Sequence, residues 1–312
     1  MASLFNRLFH KKNTPVNTPK KPESNSIQLE PDQAVTTIEN LAMPAVSIHG
    51  KPHLEVPQLI VGVAQAMGIQ RDHNEDSLFT LTTNLLGDEG VINFGLYIIA
   101  DGMGGHENGE LASRLAVDGL VSHVINHIYL PLISSTNSKH DFSLHEVMLS
   151  GVMQAHQSIK KVTDGGGTTL TAALILGNQL TLTHVGDSRA YYIDPLGSLK
   201  LMTRDHTLVK RLVEIGQITA DEALSHPQRN VLYRALGQGE PFEPDISSMQ
   251  VCPGCHLLIC SDGLWGSIPD ENLVEAVFSA TEPQFICQSL IESAYQAGGL
   301  DDISVIIVRI PG

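Results

Sequence analysis

The chain has 312 residues, 42% of them hydrophobic, which is room for one large domain or two small ones. Its formal charge of −15 at pH 7 argues against a general nucleic-acid binder, which would show a basic face, and no uncharged apolar run is long enough to span a bilayer. Four cysteines in a chain this long do not read as a secreted disulfide framework, and Arg7, Lys11 and Lys12 interrupt any secretory signal, so a cytoplasmic enzyme is the expectation.

Taken in chain order, "MASLFNRLF" sets Leu4, Phe5, Leu8 and Phe9 on one face of a short helix, with Lys11 and Lys12 after it. That pattern reads as a frayed terminus or as a weak membrane or partner contact through residues 1–12. Residues 10–57 are rich in Pro, Asn, Thr and Ser and poor in large apolar side chains. They cannot bury enough surface to offset chain entropy, so residues 1–57 are expected to form a disordered linker extension ahead of a folded domain at 58–312. The charge follows the same division: six basic and five acidic residues precede position 58, and 13 and 29 follow it.

From Leu59 short apolar runs alternate with turn signals. They predict strands at 59–66, 77–83, 94–100, 169–176, 179–185, 189–194, 199–202, 256–260 and 303–309. Near-3.6 spacing of Leu111, Leu115, Val121, Val124, Ile125 and Ile128 predicts a helix over 109–129. Further helices are expected over 143–162, 270–280 and 283–297. Helices do not alternate regularly with strands, which excludes a doubly wound parallel sheet and favours two stacked antiparallel sheets with helix pairs outside.

The acidic residues sit at strand ends. Glu75 and Asp76 precede "SLFTLTT", Asp101 ends "LYIIA", Asp187 follows "LTLTHV", Asp262 follows "HLLIC", and Asp301 and Asp302 precede "ISVIIVRI". A carboxylate adjoining a buried strand is costly to desolvate unless a positive group compensates it, so five such places predict convergence on cations. Oxygen donors recur without Cys or His beside them, which favours Mg²⁺ or Mn²⁺ over zinc. Gly102, Gly104 and Gly105 would let the backbone turn sharply and approach a cation with a carbonyl oxygen. A dinucleotide fingerprint would need glycine where Glu107 stands, no Gly-Lys-Ser/Thr of a P-loop occurs, and "HEVML" has Leu149 where a zinc protease needs His.

Eight segments in order resemble the metal-dependent protein phosphatases of the type 2C class, in their bacterial branch. They are "RDHNEDS" (71–77), "ADGMGGHENGELAS" (100–113), "GGTTL" (166–170), "HVGDSRAYY" (184–192), "TRDHTLV" (203–209), "HPQRNVLYRALG" (226–237), "CSDGLWG" (260–266) and "GGLDDISVIIV" (298–308). The resemblance implies an α+β fold, a four-layer α-β-β-α sandwich of two antiparallel sheets flanked by helix pairs. It implies a serine/threonine phosphoprotein phosphatase that uses water activated by a binuclear Mn²⁺/Mg²⁺ centre and opposes a bacterial Ser/Thr kinase.

By the same resemblance Asp101 bridges two ions, the Gly102 carbonyl binds one, and Asp262 and Asp301 bind the other. Glu75 and Asp76 hold metal-bound waters, and Asp187 with Asp262 takes a third ion. Arg71 is the phosphate clamp, its planar guanidinium suiting two oxygens at once. Two positions depart from the family pattern. Asp302 stands where Asn is usual, either a charge that tightens metal binding or a conservative variant. Met103 stands where animal members use histidine as general acid; His106 is close in sequence but reads as a loop brace.

"CPGC" at Cys252–Cys255 reads as a turn with two incidental thiols, since a zinc ribbon needs a second close pair that Cys260 and Cys287 do not form. Residues 203–240 match the flap of bacterial members, with Lys210, Arg211, Arg229 and Arg234 as candidate contacts for a phosphoprotein. Thr168, Thr169 and Ser188 look structural.

Overall fold

A computed structural model of the chain describes residues 57–87, 90–104, 107–134 and 143–312. The expectations for residues 1–56, including the contact through residues 1–12, and those for Gly105 and His106 lie outside the described residues.

The strands assemble into two antiparallel sheets. The first runs β2 (Asp76–Gly87), β3 (Gly90–Met103), β5 (Leu170–Leu176), β6 (Gln179–Val185) and β9 (Asp245–Gln250), with the short β4 (Gly167–Thr168) added to β3. The second runs β1 (Ile60–Ala66), β11 (Ile303–Arg309), β10 (His256–Cys260), β7 (Arg189–Ile193) and β8 (Leu199–Leu201).

Side-chain alternation along the strands sorts residues into three cores. On β3, Phe94, Leu96, Ile98 and Ala100 face a helix pair, while Tyr97 and Ile99 face the other sheet. On β11, Ile306 and Val308 meet them between the sheets, and Val305 and Ile307 face outward to a second helix pair. With both faces covered, these strands read as unbroken apolar runs despite being antiparallel, where one solvated face is the commoner case. Each fully buried Ile or Leu contributes about 1.5–3 kcal/mol of transfer free energy.

The first helix pair is α1 (Glu107–Val124) and α3 (Leu144–Val162). Chain order adds a π turn (Ile125–Tyr129) and α2 (Leu130–Ile133) after α1, so the continuous stretch Asn108–Ile133 is long and apolar enough to cross a membrane. Its Ala112, Ala116, Leu120, Val124 and Ile128 are instead buried against β3 and α3. Ser143 caps α3 by accepting the Glu146 N–H at 3.3 Å. In chain order α4 (Leu208–Glu214), α5 (Ala220–Leu224) and α6 (Asp262–Trp265) follow, all short. The second helix pair, α7 (Asp270–Ser279) and α8 (Pro283–Gln296), packs Leu273, Val277, Ile286, Leu290 and Ile291 on the outer face of the second sheet.

The α-β-β-α order is the one expected. Three features differ from the sequence reading. The β2–β3 hairpin is longer than 77–83 and 94–100, because pairing continues from Asp76–Asp101 to Gly87–Gly90 beyond the apolar stretch. Strand β9 has mostly exposed residues at a sheet edge, so no alternating signal marks it. And the strand does not stop at Asp101: Gly102 and Met103 pair with Thr168 and Gly167, so Gly102 is not a turn residue. Its missing side chain serves close approach instead, since a Cβ there would lie 2.3 Å from the Gly109 carbonyl oxygen and 2.7 Å from that of Glu75. Gly104, at φ +113°, makes the turn.

Candidate metal centre

The two sheets present their acidic strand ends to one cleft. It has a volume of about 380 Å³, and Asp101, Asp187, Asp262 and Asp301 line it together with Glu75 and Arg71. Asp76 lies directly across the β2–β3 ladder from Asp101 and is itself buried. Asp76 and Asp101 thus come from the first sheet, with Asp187 just beyond β6, while Asp262 and Asp301 flank β10 and β11 of the second.

Hydrogen bonds to the backbone hold Asp101 and the Asp187 turn without using their carboxylates. The Asp101 N–H donates to Thr169 Oγ1 at 2.9 Å, and the Asp101 carbonyl accepts from the Thr169 N–H and the Thr168 hydroxyl, both at 2.8 Å. Thr169 also bonds Ser188 Oγ at 2.7 Å, which ties the Asp101 strand to the Asp187 turn. That turn is pinned twice more, by Trp265 Nε1 donating to the Asp187 carbonyl at 2.9 Å and by the Gly186 N–H donating to His206 Nδ1 at 3.0 Å. Thr168, Thr169 and Ser188 are therefore positioning groups for two acidic turns. Trp265 and His206 belong with them, and the sequence reading did not single them out; "CSDGLWG" and "RDHT" hold them, but nothing in the spacing shows where a ring nitrogen points.

Electrostatically the cleft is under strain. Burial, and then the Asp262 and Asp302 charges, push Asp76 up to about 7; the Ser261 and Ser304 hydroxyls oppose this, yet neither Asp76 oxygen has a hydrogen-bond partner. Burial and the Asp301 charge push Asp262 up to about 6, and its Oδ1 also has no partner. Asp101 and Asp187 are raised well above the ordinary carboxylate range, by burial first and by neighbouring carboxylates second. Buried, mutually repelling carboxylates with unmatched lone pairs are stable as anions only beside positive charge.

Arg71 supplies part of it. Its guanidinium bonds Asp301 Oδ1 and lies 3.7 Å from Glu75 Oε2. Burial lowers the tendency of Arg71 to stay charged, and the Asp301, Asp302, Glu75 and Asp101 carboxylates more than reverse that. One arginine does not balance this many acids. The cleft lining offers carboxylate and backbone oxygens with no Cys or His, the donor set of a hard divalent cation. No three acidic, His or Cys side chains among the described residues close on one point as an all-protein cage. Such a site suits ions that keep much of their water and take few protein ligands, as Mg²⁺ does.

Asp302 points away from the cleft. Its Oδ1 accepts the Gly68 N–H and its Oδ2 the Glu75 N–H, each at 2.9 Å. The charge therefore anchors the segment that carries Arg71 and Glu75, which is neither of the two sequence readings. An amide can accept only one of these bonds and sets an NH₂ against the other donor. Asp302→Asn is expected to speed hydrogen exchange at the Gly68 or Glu75 amide by about tenfold or more, the worth of one net hydrogen bond, as read by NMR. Unchanged exchange at both amides would refute this placement.

The four flap cations are not alike. Arg211 pairs with Glu214 at 3.6 Å and Arg234 with Asp245 at 2.8 Å, whereas Lys210 and Arg229 make no ion pair among the described residues. Away from the cleft, Cys252 and Cys255 are joined as a disulfide and are not incidental thiols: the turn brings their Cα atoms to 5.8 Å, within bridging range.

Comparison with known proteins agrees with this geometry. Residues 61–303 match the model of the family described as Protein phosphatase 2C. The serine/threonine protein phosphatase PstP of Mycobacterium tuberculosis is 35% identical over 245 residues, which are 78% of this chain and 43% of that protein. The chain thus spans less than half the length of that relative. A putative protein phosphatase 2C-type of Streptococcus pyogenes is 34% identical over 69% of this chain and 85% of its own length. The crystal structure of M. tuberculosis PstP/Ppp superposes with a TM-score of 0.68 at 33% identity, covering 82% of this chain and 100% of that one. The catalytic domain of PstP in complex with two manganese ions gives 0.66 at 31% identity, with 82% and 100% covered.

Proposed function

Because the chain belongs to the protein phosphatase 2C family, we propose that it is a metal-dependent phosphatase of phosphoserine and phosphothreonine in proteins. The observation that carries this reading is the meeting of acids from both sheets in one cleft, with unpartnered buried oxygens on Asp76 and Asp262. Relatives named as serine/threonine protein phosphatases support the substrate class, and the manganese complex of a structural neighbour supports the cofactor.

In this reading Asp101, the Gly102 carbonyl, Asp262 and Asp301 would hold two Mn²⁺ or Mg²⁺ ions, with Asp187 and Asp262 available to a third. When bound, such a pair activates water at neutral pH and neutralises the oxygens of an in-line phosphoryl displacement. The chain's own residues orient the reactants. Glu75, in the cleft lining, and Asp76, across the ladder from Asp101, would accept hydrogen bonds from water held there. Arg71, half-exposed at the cleft edge, turns its guanidinium to the phosphate and fixes its face. Met103 lines the cleft and cannot donate a proton, so the departing serine or threonine oxygen would take its proton from water or from another side chain.

The biological setting follows from the same reading: a cytoplasmic enzyme that reverses a bacterial Ser/Thr kinase. Excess EDTA is expected to abolish phosphate release from a phosphothreonine peptide, and added Mn²⁺ to restore it. Full activity in EDTA would overturn the proposal.

A further inference from the structure

Beside the acidic cleft lies a second cavity, of about 660 Å³, in the size range of small-ligand sites. One wall is apolar and comes from the segment 203–240: Val209 and Val213 on α4, with Ala220, Ala223 and Leu224 on α5. Trp265 on α6 also lines the cavity. Leu224 is 77% exposed, a large apolar side chain that no described residue covers.

The cavity adjoins the metal centre, since Asn230, Asp262 and Asp301 line both. A polypeptide with its phosphorylated residue at those acids can lay neighbouring residues along this cavity. Its charges are also uneven. Asp205 is taken up by Arg189, which bonds it at 3.0 and 2.7 Å and stacks 3.6 Å from the Trp265 ring centroid. Asp262 and Asp301 belong to the metal centre. The charges left are Lys210 and Arg229, both cations that make no ion pair among the described residues.

We propose that this cavity selects substrates by holding a large apolar side chain near the phosphorylated residue of an extended phosphopeptide, with an acidic neighbour met by Lys210 and Arg229. The inference rests on the phosphatase reading above and adds a sequence preference to it. The occupant is the substrate chain, because the cavity shares Asn230, Asp262 and Asp301 with the cleft that must receive it and carries the charge sign that a phosphorylated, acidic segment complements.

The test uses the full chain with Mn²⁺ and phosphothreonine peptides in which Leu or Asp is placed at each flanking position in turn. p-Nitrophenyl phosphate, which has no flanking residue, is the control. At one position Leu is expected to exceed Asp in kcat/KM by about tenfold or more, the discrimination an apolar pocket gives for a few methylenes. Leu224→Asp, at an exposed site that leaves the core intact, is expected to reduce that ratio to about twofold or less, with p-nitrophenyl phosphate turnover unchanged. Lys210→Glu is expected to reverse the preference for an acidic over a basic neighbour. Hydrolysis of p-nitrophenyl phosphate with no positional preference would overturn this proposal and leave the phosphatase reading standing. So would a preference that survives Leu224→Asp, or competition by a peptide of residues 1–12 against peptide substrates alone, which would assign the cavity to the chain's own N-terminal stretch. Failure to hydrolyse any of these compounds with Mn²⁺ would remove both.

Discussion

Asp101→Asn is expected to lower Mn²⁺-dependent phosphate release by about 10³-fold, roughly 4 kcal/mol of barrier, while raising the melting temperature of the metal-free protein. The two effects have opposite signs for one reason. Asp101 sits among Asp76, Asp262, Asp187 and Asp301, and each of these charges disfavours its ionised form. An amide of the same shape removes that repulsion, and with it the charge that would hold cations. The backbone need not move, because Asp101 is positioned by its own N–H and carbonyl bonds to Thr169 and Thr168. Sites evolved for function at some expense of stability behave in this way. The checks are steady-state kinetics with saturating Mn²⁺ and calorimetry in EDTA. Near-normal activity would remove Asp101 from the metal centre; a lower melting temperature in EDTA would mean that the side chain is structural.

The second large effect is on stability against pH. Asp76 and Asp262 titrate near 7 and 6 in the folded, metal-free protein, above their unfolded values. A group whose pKa is raised by folding favours the folded state below its unfolded pKa, and that contribution is lost as pH rises through the folded value. Buried histidines such as His184 and His206, whose pKa values burial lowers, act in the opposite sense, but only below their unfolded value of 6.5. The metal-free protein is therefore expected to lose stability between pH 6.5 and pH 8. A loss of a few kcal/mol corresponds to a drop of roughly 5–10 °C in melting temperature for a domain of this size. Carboxylates of the opposite kind, such as Glu214 beside Arg204 and Asp245 beside His206 and Arg234, are held below their ordinary values and act only at lower pH. Mn²⁺ should cancel the loss, raising the melting temperature far more at pH 8 than at pH 5.5. A flat or rising melting temperature in EDTA across that range would show that the acidic cluster is not under strain.

How far the sequence could be read depends on what each residue reports. Strands such as Leu257–Cys260 and Ile303–Val308 were legible because helices cover one face and a sheet the other, leaving no polar alternation to dilute the pattern. The acids were legible because a charge beside such a run is improbable without a partner. Polar, half-exposed elements were not: Asp245–Gln250 forms its strand through pairing with β6, and Leu208–Glu214 and Ala220–Leu224 are too short to show a period. Direction was also hidden. Spacing placed Asp302 next to Asp301 but could not tell that its oxygens turn back to the Gly68 and Glu75 amides. Gly102 announced a need for closeness, though not that the crowding backbone is that of Gly109 and Glu75. The Cys252–Cys255 bond depends on the path of the turn, which composition does not encode.

In the second sheet β1 lies beside β11, so the first strand of the domain finds its hydrogen-bonding neighbour only in the last. A growing polypeptide leaving the ribosome can close the β2–β3 hairpin early, but Ile60–Ala66 has no strand to pair with until Ile303–Arg309 has been synthesised. Asp301 arrives at the same moment, immediately ahead of that closing strand. Assembly of the acidic cleft is thereby deferred until this last strand has been made, and a chain that stops short of Asp301 lacks one of the acids that line it.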